Sequence, residues 1–187
     1  MRLRLVKGPF NDPDYIFELK HDGFRALAYI DERGECRLVS RNLKHLRFKT
    51  LEEALATLPV QNAIIDGEII CVDSKGVSHF NELLSRKAEP VLYAFDLLWL
   101  NGDDLRKQPL ILRKDWLAAL IRLSDCNRIM YAQHVEVKAS GCSQRFADVI
   151  WKVSSRSERW AFTKTMAVHG SKLRTGSIRR PKVDMNC

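Results

Sequence analysis

The stretch Phe17–Ala26, "FELKHDGFRA", sets a lysine at the end of an apolar run and two residues before Asp-Gly. A lysine at the edge of a core strand can simply extend its ammonium to solvent. Lys20, however, is followed by Asp22, Gly23 and Arg25. A turn glycine lets backbone approach a ligand closely, and a nearby arginine can hold phosphate while disfavouring protonation of the lysine. Those are the needs of a lysine that attacks a phosphoryl centre.

Further pieces lie downstream. "SRN" at Ser40–Asn42 ends a strand-like run with Arg41, a side chain suited to bidentate phosphate or ribose contact. "IDGEII" sets Glu68 two positions from Asp66, on one face if the segment is a strand. Carboxylates at alternate positions of a core strand are costly unless they meet a metal, a cation or a sugar hydroxyl. "YAFDLLWLNG" puts Phe95 and Asp96 inside a strongly apolar run, where the aromatic ring is either core or a platform for a purine. Arg113 follows "QPLIL" and can be read as a solvated residue.

These residues need strands to hold them, and the pattern supplies candidates. "YIFEL" and "RALAYI" read as strands joined by the polar turn "KHDGF", and "ECRLVS" as a third after the turn signal "DERG". "NAIIDGEIICV" reads as a strand pair or a strand interrupted by Asp-Gly, and "VLYAFDLLWL" as a buried strand closed by "NGDD". Apolar positions at helical spacing predict helices over "TLEEALATL", with Thr50 as its cap, over "FNELLSR" and over "LILRKDWLAALIRL".

At 187 residues the chain fits one ordinary domain, or one domain with a fragment of a second. No apolar run approaches the roughly 20 residues needed to cross a bilayer. The basic N-terminus lacks the apolar core of a signal peptide. Its five cysteines are scattered without a CxxC pair, which fits ordinary thiols in a reducing cytoplasm. The net charge of +8 is unevenly placed: residues 1–137 hold 20 basic and 20 acidic residues, residues 138–187 hold 11 and 3. Residues 138–187 also show no sustained period and read as a basic, poorly ordered tail.

In order and spacing, "KHDGFR", "SRN", "DGEI" and "YAFDLLWLNG" resemble motifs I, Ia, III and IIIa of the ATP-dependent DNA ligases of bacterial type. "GPFNDPDYIFELKHDG" and "LRKQPLILRK" add to the likeness, which covers about residues 8–137. The resemblance implies an α+β nucleotidyltransferase fold, antiparallel sheets flanking an ATP cleft, incomplete at the C-terminus. Lys20 would attack the α-phosphate of ATP to form lysyl-AMP. The AMP would pass to the 5′-phosphate of nicked double-stranded DNA, and the 3′-hydroxyl would displace it. Glu18 would read the adenine amino group, Leu19 would join it in the ATP site, and Phe95 would stack on the ring. Arg25, Arg41 and Glu68 would hold ribose and phosphate, with Glu68 and Asp96 near Mg²⁺. The family also implies a cytoplasmic monomer.

Two family motifs are missing from residues 138–187: the "EG(I/V)VxK" strand of motif IV and the "WxKxK" strand of motif V. Nor are residues 138–187 expected to form the OB-fold domain that follows those motifs in the family. Codons read one nucleotide earlier give a second text. Tryptophan has a single codon, so the shifted codon spanning Trp151 and Lys152 must read glutamate. With permitted synonyms, "IWKVSSRSE" becomes "LEGIVAKR", "HGSKLRT" becomes "WVKIKN", and "SIRRPKVDMN" becomes "YSQAEGRHE". These match motif IV, motif V and the segment after it, in order. The expectation is a partial adenylation domain over 1–137, then a tail over 138–187 that is disordered or frameshifted near codon 138. Little nick sealing and weak adenylylation of Lys20 follow. The rivals are an RNA ligase or capping-type nucleotidyltransferase, and a non-catalytic remnant whose basic tail binds nucleic acid.

Overall fold

A computed structural model describes residues 4–5, 15–73, 80–85, 89–136, 151–155 and 163–166. The flanking stretch 8–14 and the rest of the tail lie outside the described residues. In chain order the elements are β1 (Arg4–Leu5), β2 (Tyr15–Leu19), β3 (Phe24–Ile30), β4 (Cys36–Ser40), α1 (Lys49–Leu55), β5 (Ala63–Ile70) and α2 (Phe80–Ser85). There follow β6 (Val91–Leu100), β7 (Asp103–Asp104), a 3₁₀ turn (Leu105–Lys107), α3 (Leu110–Leu123), β8 (Ile129–Tyr131), β9 (His134–Glu136), β10 (Trp151–Ser155) and β11 (Thr163–Met166).

Two sheets result. One runs β1-β11-β10-β2-β9; the other runs β4-β3-β5-β6-β7, with β8 alongside β6. Most neighbours are antiparallel, the exceptions being β1 with β11 and β6 with β8. The α+β expectation therefore holds. β2 and β3, consecutive in sequence, do not pair: the chain leaves one sheet and enters the other across Lys20–Gly23.

Strand periodicity explains the second sheet's two faces. Ala26 and Ala28 on β3, Ile65 and Ile69 on β5, and Leu92, Ala94 and Leu97 on β6 pack with Leu51 and Leu55 of α1 and Leu117 and Leu120 of α3. Tyr93 and Phe95 alternate to the opposite face, where they cluster with Ile70, Val91 and Ala132. "NAIIDGEII" forms one strand, with register shifts at Ile64/Ile65 and Asp66/Gly67. The turn after β6 works as expected of Asn-Gly: Asn101 and Gly102 both take positive φ (47° and 95°).

α1 differs from its sequence expectation. It starts at Lys49, the residue after Phe48, and Thr50 caps nothing. The backbone carbonyl of Phe48 accepts from the amides of Leu51 and Glu52 instead, while the Phe48 ring packs against Phe24. The helix ends at Leu55 with Ala56 as its C-cap, and Pro59 bars helical geometry at Leu58, where the sequence pattern places the end. β10 and β11 arise from the segment without sequence period, and β10 pairs along the whole of β2.

Candidate nucleotide cleft

A cleft of about 620 Å³ opens where the two sheets meet, a size that suits a small-molecule ligand. Its wall includes Glu18 and Leu19 at the end of β2, Lys20 and Gly23 at the crossing, Arg25 on β3, Arg41 after β4, Glu68 on β5 and Phe95 on β6. Those residues span 78 positions of sequence, and the fold gathers them around one space.

Lys20 is one-third exposed, and its Nζ pairs with Asp22. Gly23 follows because nothing larger fits: a Cβ there would sit 2.1 Å from the backbone oxygen of Ile69 on β5. Gly23→Ala must therefore push the Lys20 segment off β5. Such overpacking costs typically about 1–3 kcal/mol. A urea-unfolding midpoint equal to the parent's would show that the crossing has slack.

Arg25 gives two hydrogen bonds to Asp66, Nε to Oδ1 at 3.1 Å and Nη2 to Oδ2 at 2.6 Å. Its guanidinium lies 5.1 Å from the centre of the Phe95 ring. The buried carboxylate expected to need a partner has one, and it is an arginine of the neighbouring strand. Glu68 is half-buried and remains on the cleft wall, directly under the crossing. Arg41 is exposed at the rim, in a turn where Leu43 adopts φ 57°.

Asp96 is placed elsewhere. Adjacent strand residues face opposite ways, so Phe95 faces the cleft while Asp96 meets α3. There Arg113 donates to both its oxygens, at 2.8 and 2.9 Å. Burial pushes the Asp96 carboxyl upward, against the pull of Arg113. It is not among the residues lining the cleft. Arg113, read from sequence as solvated, is 1% exposed, and it also donates to the Gln108 carbonyl at 2.7 Å.

Sequence reasoning missed two further residues. Lys114 is buried completely and donates to Glu18 Oε1 at 2.6 Å. The signal was available: Leu110, Leu117 and Leu120 define the inward face of α3, and Arg113 and Lys114 fall on it. The other missed residue is His21, whose ring sits 4.2 Å from that of Tyr93. Its Nε2 is buried and has no hydrogen-bond partner among the described residues.

Burial pushes the His21 pKa below its ordinary 6.5, with Asp22 opposing and Lys20 assisting. The folded state thus favours the neutral ring. As pH falls through about 6.5, the unfolded chain takes up a proton that the folded chain resists, and stability drops. His21→Phe keeps the ring contact and removes the orphan nitrogen. It is expected to lose less of its urea midpoint than the parent between about pH 7.5 and about pH 5. Equal losses would mean that His21 does not carry the acid sensitivity.

Among the described residues, no three His, Cys, Asp or Glu side chains converge as a metal site. No helix of the described residues is long and apolar enough to cross a membrane.

Residues 6–158 match the family model described as "ATP dependent DNA ligase domain". The chain is 32% identical over 165 residues to the multifunctional non-homologous end joining protein LigD of Pseudomonas aeruginosa, covering 79% of this chain and 20% of that one. It is 28% identical over 177 residues to the SPbeta prophage-derived DNA ligase-like protein LigB of Bacillus subtilis, covering 86% of this chain and 64% of that one. Its fold is shared with the ligase domain from M. tuberculosis LigD, at a TM-score of 0.70 and 23% identity over 87% of this chain and 58% of that one. The chain thus spans about a fifth of the first relative's length and under two-thirds of the second's.

Proposed function

Because this chain belongs to the ATP-dependent DNA ligase family, by its ATP-dependent DNA ligase adenylation domain, we propose that it binds ATP in the cleft and takes AMP onto Lys20. The observation that carries this is the position of Lys20 at the crossing between sheets. The cleft wall around it carries Glu18, Leu19 and Phe95 together with the cations Arg25 and Arg41. Adenine enters the cleft against Phe95, with Glu18 accepting from its amino group. Arg25, fixed by Asp66, and Arg41 at the rim hold ribose and phosphate.

The chemistry is a displacement at phosphorus. The Lys20 ammonium gives up a proton, Nζ forms a bond to the α-phosphorus, and the bond to the bridging oxygen breaks to release pyrophosphate. Fixed cations that meet the developing phosphate charge supply most of the acceleration in such a step. Mg²⁺ bound to the triphosphate would neutralise further charge. Glu68 fits as its protein ligand, since Mg²⁺ typically takes one or two carboxylates beside phosphate oxygens and water. Asp96, closed in its pair with Arg113, does not fit that role.

Transfer of AMP to the 5′-phosphate of nicked double-stranded DNA is the step that follows. We assign this chain a cytoplasmic, monomeric setting, weak adenylylation and little sealing, since residues 138–187 carry neither the motif IV nor the motif V lysines. The frameshift reading has support from topology. The segment whose neighbouring frame can spell "LEGIVAKR" with permitted synonyms contains β10, the strand that pairs with β2 and so lies beside the strand leading into Lys20.

Incubation with α-labelled ATP and Mg²⁺ tests the proposal. A sub-stoichiometric adduct is expected, one AMP in mass and acid-labile as a phosphoramidate, on the peptide that contains Lys20. No adduct at saturating ATP would overturn it. A stoichiometric adduct with efficient nick sealing would overturn the assignment of weak activity.

A further inference from the structure

The ammonium of Lys114 uses three acceptors: Glu18 Oε1 at 2.6 Å, the Phe95 carbonyl at 3.1 Å and the Ala132 carbonyl at 3.1 Å. An ammonium has three donors and no acceptor, so its capacity is filled. The three partners belong to β2, β6 and the link between β8 and β9, and all three residues line the cleft. Burying an ion pair this deeply contributes little net stability compared with apolar packing of the same shape. What it does supply is direction. Lys114 can only donate, so whatever atom Glu18 offers to it must be an acceptor.

We propose that Lys114 is a positioning residue that locks the Glu18 side chain, so that the cleft presents an acceptor to the 6-position of a purine and prefers a 6-amino to a 6-oxo base. This rests on the assignment of Glu18 to the base. Lys114 takes Oε1, and the second oxygen is left for the ligand.

Replacing the carboxylate by its isosteric amide exposes the lock. In Glu18→Gln the amide oxygen must turn to Lys114, which leaves the amide NH₂ facing the base. An NH₂ repels the 6-amino group of ATP and donates to the 6-oxo group of inosine triphosphate. The variant is therefore expected to reverse the preference and bind inosine triphosphate about tenfold tighter than ATP, the size of roughly one exchanged hydrogen bond. In Glu18→Gln with Lys114→Met the amide is free to turn either way, and the ratio is expected to fall to within about twofold of unity.

The measurement is equilibrium binding of ATP and of inosine triphosphate to the full chain, by calorimetry, with no turnover required. Reversal in the single variant, erased in the double one, supports the lock. The single variant carries the proposal by itself if the double one does not fold. A Glu18→Gln chain that still prefers ATP, or a double variant with the same ratio as the single, overturns it and leaves the ATP site standing. If the parent chain binds neither nucleotide, the ATP site and the lock fall together.

Discussion

Arg113→Met is expected to destabilise the chain more than any other single change considered. The substituted side chain fills similar space but leaves Asp96 without a partner in a site that is only 5% exposed for that residue. Breaking a buried pair by removing one member costs about 3–5 kcal/mol, out of a total that is commonly about 5–15. The Gln108 carbonyl also loses its donor, which loosens the approach to α3. The pH dependence has a definite sign. Burial already holds the Asp96 carboxyl above its ordinary 3.8, and loss of Arg113 takes it higher. A group raised in the folded state is stable there when protonated and becomes a burden as pH rises through its folded value. The defect is thus expected to be largest at neutral pH and to shrink toward acid. Urea unfolding across pH reads this directly. A second change, Asp96→Leu, should restore much of the loss, because two apolar residues no longer leave a charge stranded. A parent-like midpoint for the single variant would show that the Asp96–Arg113 pair is dispensable.

Lys20→Ala is expected to abolish the labelled adduct altogether, while nucleotide affinity changes by only a few-fold. The arginines of the cleft wall cannot replace the bond-forming nitrogen, since Arg25 is held by Asp66 and guanidinium is a poor nucleophile that stays protonated; the His21 Nε2 is buried beside Tyr93. The side chain is one-third exposed and contacts Asp22, itself exposed, so its removal should leave the unfolding midpoint close to the parent's. That combination of intact fold, retained binding and no adduct separates a nucleophile from a binding residue. An adduct persisting at parent yield would move the reaction to a different side chain. A collapse of nucleotide affinity would make Lys20 a phosphate contact first.

The adenylation-domain likeness was legible because its motifs are local. Lys20, Asp22 and Gly23 lie within four positions, and "YAFDLLWLNG" is one strand and its turn. Strand periodicity alone places Asp66 and Glu68 on one face, and the α3 spacing alone gives its bounds as Leu110–Leu123. The same rule, applied one residue further, separates Asp96 from Phe95, which is why the carboxylate expected near the metal belongs instead to the seam beneath α3.

Tertiary structure decided the rest, and for one physical reason. A residue's type states what partner it needs but not which of many distant candidates supplies it. Asp66 needed a cation and received Arg25 from the adjacent strand; Asp96 received Arg113, and Glu18 received Lys114 from 96 positions away. "KHDGF" reads as a turn from sequence, yet whether the strands on either side pair or part is set by which sheet each completes. Because β2 and β3 part, Lys20 stands in the opening between the sheets rather than at the tip of a hairpin. The sequence by itself determined the family and singled out Lys20 as its candidate nucleophile; the parting of two strands made the cleft on whose wall Lys20 stands.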